Sequence, residues 1–343
     1  MKILILGANG FIGSHLSDAI LAKTDWEVFA MDLANDKLVD AMTNKRFHFF
    51  KGDITVEKAW IEQHIQVCDV ILPLVAIATP MTYVKDPLKI FELDFEANLE
   101  IIRHCVKYHK RIIFPSTSEV YGMCADTVFD EEESHLVTGP IHKERWIYSA
   151  SKQLLDRVIY AYGQHNDLDY TLFRPFNWYG PKLDNIFNPK PGGSRVLTQF
   201  IGNLIRGENI VLINGGEQKR CFMHIDDGID ALLRMIENKN HCAGKRIFNI
   251  GNPAENVSIR NLAELLVKLI KAYPEHVEAA TKTQLISQDA NDYYGAGYQD
   301  VSLRVPSIER AKKHLNWTPE INLEDGLRQT LDFYFKENCV TDY

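Results

Sequence analysis

The 343-residue sequence has no apolar run long enough to cross a membrane, and its first apolar stretch is only a short strand. Its six cysteines lie far apart with no CxxC pair, which disfavours a disulfide framework and indicates reduced thiols in the cytoplasm. Its twelve histidines show no HExxH or similar ligand spacing, so no metal is expected. A formal net charge of −8 disfavours a nucleic-acid partner.

What the sequence does contain is a regular alternation of short apolar runs with helical patterns through roughly residue 175. This alternation predicts an α/β fold built on a Rossmann-type, doubly wound parallel sheet. A length of 343 residues with 45% hydrophobic content suggests about two lobes. The predicted strands are 2–6, 27–31, 47–50, 70–75, 111–114, 170–173, 210–213 and 246–250. A loop at 185–194, a helix at 258–272 and two helices around a Trp-Thr-Pro turn between 307 and 335 complete the prediction.

A glycine-rich turn directly follows the first predicted strand and enters a helix, in the order Gly7, Gly10, Phe11, Ile12 and Gly13. Gly7 permits the tight turn, Gly10 lets a pyrophosphate approach the backbone, and Gly13 lets the helix pack against the sheet. A helix N-terminus is a favourable place for phosphate. The setting therefore predicts a dinucleotide site that includes Phe11 and Ile12.

A carboxylate at the end of the second predicted strand, Asp32, indicates which dinucleotide binds. It can accept both ribose hydroxyls and would repel a 2′-phosphate, so NAD is predicted rather than NADP. The alternative for Asp32 is a helix or turn cap. Asp53, at the end of the third predicted strand, is expected with Ile54 beside the adenine.

Tyr148 and Lys152 are four residues apart in a helical pattern, and this spacing places both on one helix face. A phenol with an unperturbed pKa near ~10 is a poor base at neutral pH, and a nearby ammonium favours the phenolate. Tyr148 is therefore the predicted base that takes an alcohol proton while a hydride leaves. The alternative is a chance YxxxK pattern on an amphipathic helix.

Several longer strings resemble one family. They are residues 115–124 (PSTSEVYGMC), 145–149 (RWIYS), 173–178 (FRPFNW) and 293–304. With the motifs above, they resemble the extended short-chain dehydrogenase/reductases of the NAD-dependent epimerase/dehydratase family, which act on nucleotide sugars. Within that family the chain is most similar to the dehydrogenase/decarboxylase domain of the bifunctional polymyxin-resistance UDP-glucuronic acid decarboxylase. It is more distantly similar to UDP-apiose/UDP-xylose synthase.

The resemblance implies NAD-dependent oxidative decarboxylation of UDP-glucuronic acid to UDP-4-keto-pentose, CO2 and NADH. Oxidation at sugar C4 places the C6 carboxylate β to a ketone, and such an acid loses carbon dioxide readily. Thr117 is expected to bond the C4 hydroxyl beside Tyr148. By resemblance, Glu119 and Arg304 are the acid–base pair around decarboxylation and C5 reprotonation, with Ser118 beside them. The alternative for Arg304 is a surface salt bridge.

The resemblance also implies a set of UDP-sugar contacts. They are Ala78, Tyr83, Arg145, Asn177, Tyr298 and the segment 211–220, which ends in Arg220. Arg220 is expected on the pyrophosphate because a guanidinium can bind two phosphate oxygens at once. Tyr83 and Tyr298 have packing aromatics as their alternative.

The predicted division of the chain is an NAD-binding Rossmann domain at 1–180, with a returning segment at about 218–250, and a UDP-sugar-binding lobe at 181–217 and 251–343. The family expectation is a homodimer through helices around 90–108 and 148–164.

Three functions remain open from the sequence. The first is release of the UDP-4-keto-pentose with free NADH. The second retains NADH and reduces the ketone to UDP-xylose or, with ring contraction, to UDP-apiose. Another nucleotide-sugar epimerase or dehydratase is a separate alternative, although the run from Thr117 to Glu119 differs from the Asp-Glu pair typical of the dehydratases. The third is an NAD-binding regulatory protein without turnover, which the intact set of predicted catalytic residues disfavours.

Overall fold

A computed structural model of the chain describes residues 1–187, 194–294, 299, 301 and 304–337. The strands are β1 (Lys2–Leu6), β2 (Glu27–Asp32), β3 (Phe47–Lys51), β4 (Val70–Pro73), β5 (Arg111–Pro115), β6 (Tyr170–Pro175), β7 (Trp178–Tyr179), β8 (Ile210–Ile213), β9 (Lys219–Cys221), β10 (Met223–His224), β11 (Arg246–Ile250), β12 (Asn256–Ser258) and β13 (Leu285–Gln288).

The α-helices are α1 (Phe11–Lys23), α2 (Lys58–Val67), α3 (Pro80–Lys85), α4 (Pro87–Ile90), α5 (Asn98–Lys107), α6 (Trp146–His165), α7 (Val196–Arg206), α8 (Ile225–Glu237), α9 (Ile259–Leu269), α10 (Pro274–Lys282), α11 (Ala290–Tyr294) and α12 (Leu323–Asp332). The π-helical segments among the described residues are Phe91–Ala97, Ala311–Leu315 and Phe333–Glu337. Among the described residues, no helix has both the length and the apolar character needed to cross a membrane.

Seven parallel strands form the central sheet, in the order β11-β6-β5-β4-β1-β2-β3, which confirms the predicted fold class. Strands β1 and β4 are almost continuously apolar and buried, as expected for a parallel sheet covered on both faces. The strand order reverses at β1, which lies between β2 and β4. A crevice therefore opens beyond the carboxyl ends of these strands, where this kind of sheet binds ligands.

Helices cover both faces of the sheet. On one face, apolar side chains of α1 and α8 pack against β1, β2 and β4. On the other face, α2, α5 and α6 pack against the opposite side of the same strands and of β5. A separate apolar core joins α7, α9, α12 and β8 in the later part of the chain. The sheet and its two helix layers therefore fix the position of α6, the helix that carries Tyr148 and Lys152.

The structure differs from the sequence prediction in a few places. The fourth strand ends at Pro73 rather than at 75, and the helix predicted at 258–272 passes into a 3-10 turn at Ile270–Ala272. Three two-stranded sheets, β7 with β10, β8 with β13 and β9 with β12, include pieces that the sequence did not predict. These short strands contain two to four residues and form only because another strand lies beside them. The predicted loop at 185–194 lies partly outside the described residues.

Candidate active site

The glycine-rich turn lies at the carboxyl end of β1, in the crevice, and leads into α1. Gly7 adopts a φ of +87°, a conformation that glycine tolerates best. A Cβ on Gly13 would lie 2.3 Å from the Gly7 carbonyl oxygen, so the first turn of α1 packs directly on the loop. Gly10 is the N-cap of α1, with Phe11 and Ile12 beginning the helix. This backbone cradle has room for a pyrophosphate, and contact of these residues with one stays a prediction.

The carboxylate of Asp32 lies next to this turn at the end of β2. Its Oδ2 accepts the Asn9 N–H at 2.8 Å and its Oδ1 accepts the Leu33 N–H at 2.7 Å. A second carboxylate, that of Asp36, accepts the Asn9 side-chain amide at 2.7 Å. Burial raises the pKa of Asp32 while the backbone hydrogen bonds oppose that rise. Asp32 thus acts as a turn cap, and the two carboxylates also make the place unfavourable for a 2′-phosphate.

The predicted adenine neighbours follow β3, which ends at Lys51, two residues before Asp53. Asp53 Oδ1 accepts hydrogen bonds from both the backbone N–H and the hydroxyl of Thr55, each at 2.8 Å. Ile54 is buried in the apolar core beneath β1 and β2. Contact of either residue with adenine stays a prediction.

Tyr148 and Lys152 lie one turn apart on the buried face of α6. Tyr148 and Thr117 share a side-chain hydrogen bond. The ring of Tyr83 stacks on that of Tyr148, with the centroids 4.7 Å apart and the planes within 7°. The Lys152 ammonium, 1% exposed, donates to the Pro115 carbonyl at 3.1 Å. The structure thus brings the predicted base, its lysine and its hydroxyl partner together.

The pKa of Tyr148 differs in direction from the expectation based on Lys152. Burial raises it, the Asp94 charge raises it further, and the hydrogen bond with Thr117 acts in the opposite direction. Burial also lowers the pKa of Lys152. Burial of both side chains therefore has a larger effect on their pKa values than their separation by one helical turn, because desolvation disfavours the phenolate and the ammonium alike.

Asp94, which the sequence analysis missed, lies fully buried in the π-helical segment Phe91–Ala97. Its Oδ1 accepts the Ile77 N–H at 3.0 Å, and its Oδ2 has no hydrogen-bond partner among the described residues. Burial raises the pKa of Asp94 to about 6, and the Lys152 charge opposes that rise. The sequence could have identified Asp94 as a polar residue one helical turn before Asn98, on the same helix face as apolar residues of α5.

A second cluster forms around Glu119, which lies in the short 3-10 helix Ser118–Tyr121 together with the buried Ser118. Its Oε2 accepts a hydrogen bond from Arg145 at 2.6 Å, and its Oε1 accepts one from Arg304. Burial alone would raise the pKa of Glu119, but Arg304 and Arg145 lower it to about 2. The carboxylate is therefore ionised and held between two guanidiniums, which are 1% and 6% exposed. The surface salt-bridge alternative for Arg304 does not describe this environment.

Gln299, which the sequence analysis also missed, helps to hold this cluster. Its backbone carbonyl accepts a hydrogen bond from Arg145, and its side-chain oxygen accepts the Trp146 indole N–H at 3.0 Å. The backbone of Gly139 packs so closely on this pair that a Cβ there would lie 2.3 Å from the indole nitrogen. The N-terminus of α6 therefore contacts the same part of the chain that supplies Arg304.

The remaining predicted substrate contacts are less concentrated. Ala78 is exposed in the loop after β4, and Tyr83 is buried with its ring stacked on that of Tyr148. Contact of either residue with a UDP-sugar stays a prediction. Asn177 has a φ of +43° and donates to the Cys221 carbonyl at 3.3 Å. Arg220 follows β8 and its turn and lies in β9, and its charge helps to lower the pKa of Glu119. Tyr298 lies outside the described residues.

The described part of the chain contains no group of His, Cys, Asp or Glu side chains arranged to hold a metal ion. The geometry instead combines a dinucleotide cradle with a buried tyrosine and a carboxylate between two arginines.

Comparison with known proteins agrees with this geometry. The sequence model described as the NAD dependent epimerase/dehydratase family matches residues 3–251, most of the chain. The chain belongs to this family. Its cofactor is accordingly NAD, as predicted, and the glycine cradle with Asp32 fits that dinucleotide.

Solved structures of similar proteins share the fold of this family member. The PbgP3 protein of Burkholderia pseudomallei is 55% identical, with a TM-score of 0.89 over 97% of this chain and 96% of its own. The UDP-glucuronic acid 4-epimerase of Bacillus cereus, solved with UDP-glucuronic acid and NAD, is 23% identical, with a TM-score of 0.79 over 97% and 98%. The dTDP-glucose 4,6-dehydratase of Bacillus anthracis, solved with NAD, is 21% identical, with a TM-score of 0.77 over 98% and 97%.

The position of Asp32 leads to a first prediction. We expect the protein to bind NAD more tightly than NADP, and Asp32→Asn to narrow that difference by roughly tenfold, about 1.4 kcal/mol, because the substitution removes like-charge repulsion. Titration calorimetry with both cofactors measures the two dissociation constants. Asp40→Asn, at an exposed carboxylate, is the control. Equal affinities for NAD and NADP in the parent protein would contradict the role of Asp32.

The burial of Asp94 leads to a second prediction. Its folded-state pKa, about 6, lies above the ordinary 3.8, so the folded protein loses stability as the pH rises from about 4 to about 6. Asp94→Asn keeps an acceptor for Ile77 and removes that loss. We expect its free energy of unfolding to exceed that of the parent by up to about 3 kcal/mol above pH 7, and the gain to vanish near pH 4. Urea denaturation across this pH range gives the difference, and a constant difference would refute the prediction.

Proposed function

We propose that the chain catalyses NAD-dependent oxidative decarboxylation of UDP-glucuronic acid, giving UDP-4-keto-pentose, CO2 and NADH. The observation that carries this proposal is the Glu119 carboxylate held between Arg145 and Arg304, close to the Tyr148 base. Both guanidiniums are buried. Guanidiniums in such a place suit a sugar carboxylate, since a buried anion needs a cationic partner.

Other findings support the substrate class. The Bacillus cereus epimerase of the same fold was solved with UDP-glucuronic acid and NAD. In the present chain, Arg220 on strand β9 lies close enough to Glu119 for its charge to lower the pKa of that carboxyl. A diphosphate bound at Arg220 would therefore place its sugar toward the catalytic cluster. A guanidinium suits that diphosphate because it can donate two parallel hydrogen bonds.

The first chemical step is oxidation at sugar C4. Tyr148 takes the proton of the C4 hydroxyl, and Thr117, already hydrogen-bonded to Tyr148, orients the two oxygens. NAD, when bound, accepts the hydride from C4. The Lys152 ammonium lies one turn from Tyr148 on the same buried face.

The second step breaks the bond between C5 and C6 and releases carbon dioxide. The electron pair moves toward the C4 ketone oxygen as an enolate, and Arg304 orients the carboxylate and stabilises this charge. Ionised Glu119 accepts hydrogen bonds and fixes the guanidiniums of Arg145 and Arg304. A proton then reaches C5 from Arg304 or from water that it binds.

An epimerase is the second candidate, because Tyr148 and Thr117 would serve C4 oxidation in either reaction and solved epimerases share the fold. An epimerase returns the hydride and keeps the C6 carboxylate, so it releases neither carbon dioxide nor free NADH. Incubation with NAD and UDP-glucuronic acid, with identification of the sugar and counting of CO2 and NADH, separates the candidates. Retained NADH with a UDP-pentose would indicate UDP-xylose or UDP-apiose formation.

The proposal includes a homodimer in the cytoplasm. Leu154 and Tyr160 are about half exposed on α6, so apolar surface is available on one of the two helices through which a homodimer is expected. Cys68 and Cys105 are free, buried thiols, consistent with a reducing compartment. Light scattering of the purified protein measures the oligomeric state.

A third prediction concerns the base. Tyr148→Phe keeps the ring that stacks on Tyr83 and removes the hydroxyl, so hydride transfer should fall by several orders of magnitude while UDP-glucuronic acid binds nearly as before. Stopped-flow absorbance of NADH and calorimetric binding measure the two effects. Tyr160→Phe, at an exposed position of the same helix, is the matched control. Near-normal NADH formation in Tyr148→Phe would show that another group is the base.

A fourth prediction concerns the carboxylate cluster. Arg304→Met should abolish carbon dioxide release, and Glu119→Gln should impair it with UDP binding largely preserved, because each change disturbs charge stabilisation of the enolate. Trapping of labelled CO2 gives the rate. Arg328→Met removes an exposed guanidinium that pairs with Glu324 and serves as the control. Release from Arg304→Met within about threefold of the parent would remove the support for decarboxylation.

A further inference from the structure

A chain of buried hydrogen bonds begins at α6, one turn beyond Lys152. Asp156 Oδ2 accepts the Ser116 hydroxyl at 2.8 Å and Arg174 Nη2 at 3.1 Å. Arg174 Nη1 donates to the Tyr121 hydroxyl at 2.8 Å, and that hydroxyl donates to Asn249 Oδ1 at 2.8 Å. The chain therefore connects the catalytic helix with the end of β11.

Asn249 connects this series of hydrogen bonds to the loop that follows Gly122. It is fully buried in β11, an edge strand of the central sheet. Its backbone N–H donates to Glu131 Oε1 at 2.7 Å, and its side-chain amide donates to the Phe129 carbonyl at 2.9 Å. An edge strand normally leaves such an outward N–H to solvent, so Glu131 supplies the acceptor that the sheet lacks.

The backbone of Phe129 in turn holds the segment that carries Arg304. The Phe129 N–H donates to the Val305 carbonyl at 2.7 Å, and its carbonyl accepts the Ser307 N–H at 2.8 Å, as in a short parallel bridge. The Phe129 ring stacks on Tyr121 with the centroids 4.6 Å apart. Val305 directly follows Arg304, so these bonds set where the Arg304 backbone lies.

Side-chain contact with Glu119 does not by itself determine that backbone position. An arginine side chain has several rotatable bonds, and an ion pair tolerates many of their combinations. Stabilising a charge that develops on one bond requires the guanidinium to be held within about 0.5 Å, which needs support from neighbouring groups. The bonds made by Asn249 and Phe129 supply that support on the backbone side.

We propose that Asn249 is a positioning residue that places Arg304 against Glu119, acting through the backbone of Phe129. This inference rests on the proposed function, in which Arg304 acts on the substrate carboxylate. Tyr148 and Thr117 are held by α6 and by the end of β5, so weakening this support impairs cleavage of the C5–C6 bond more than oxidation at C4.

The test compares Asn249→Ala with Thr171→Val in the full-length protein. Thr171 donates a buried hydrogen bond to the Ala243 carbonyl at 2.8 Å and accepts one from Arg111 at 3.0 Å, at the other end of the same strand pair. Within the described part of the chain its side chain makes no hydrogen bond to Phe129 or Arg304. Two measurements are made: hydrogen exchange of a peptide covering 304–308, and the CO2 released per NADH formed in the first turnover with UDP-glucuronic acid.

In Asn249→Ala we expect exchange of the Ser307 amide to rise at least tenfold and the ratio of CO2 to NADH to fall below one half. In Thr171→Val we expect parent-like exchange and a ratio of one. Tyr121→Phe removes only the hydroxyl between Arg174 and Asn249. It should change both readouts in the same direction by a smaller amount, and it serves if Asn249→Ala fails to fold.

Unchanged exchange at 304–308 in the folded variants would overturn the inference whatever the reaction is. A ratio of one in Asn249→Ala, together with loss of CO2 in Arg304→Met, would also overturn it. If exchange rises while Arg304→Met still releases CO2 normally, the role of Asn249 in holding the segment stands and the proposed function fails.

Discussion

Removal of charge from water is the constraint on which the catalytic part of this protein depends. Lys152, Arg145, Arg174 and Arg304 are each at most 6% exposed, and each lies near a carboxylate from a different part of the chain. Burying an isolated charge costs several kcal/mol of folding free energy, and removing one partner of a buried ion pair costs about 3–5 kcal/mol. The ion pairs therefore disfavour any arrangement that separates one of these buried charges from its partner.

The parallel sheet makes these pairs possible. Strands β1, β4, β5 and β6 end at the same edge, and the residues that follow them supply the glycine turn, Ile77, Thr117 and Asn177. Helix α6 brings Tyr148 and Asp156 to this edge from the face of the sheet that it covers. The edge strand β11 adds Asn249, which connects the sheet to Phe129. One edge thus receives groups that lie more than 200 residues apart in sequence.

Much of the framework was predictable because its signals are local. The eight predicted strands agree within two residues with observed ones, since continuous apolar runs must be buried. The short strands at Trp178–Tyr179 and Asn256–Ser258 were missed, because two or three residues give no period to detect. The π-helical turn around Asp94 was missed because the spacing of apolar residues in a helical pattern does not indicate where a turn contains an extra residue.

The sequence by itself determined the groups with local chemistry: the glycines of the turn, the carboxylate that follows β2, and the Tyr148–Lys152 spacing on one helix. Resemblance to a family brought Glu119 and Arg304 to attention. Only the tertiary structure decided that Arg145 and Arg304 share Glu119, that Asp94 lies near Lys152, and that Asn249 supports the Arg304 segment. It also reversed the expected pKa shift of Tyr148. Burial and long-range charge depend on which distant residues meet, and a spacing along one helix carries no information about them.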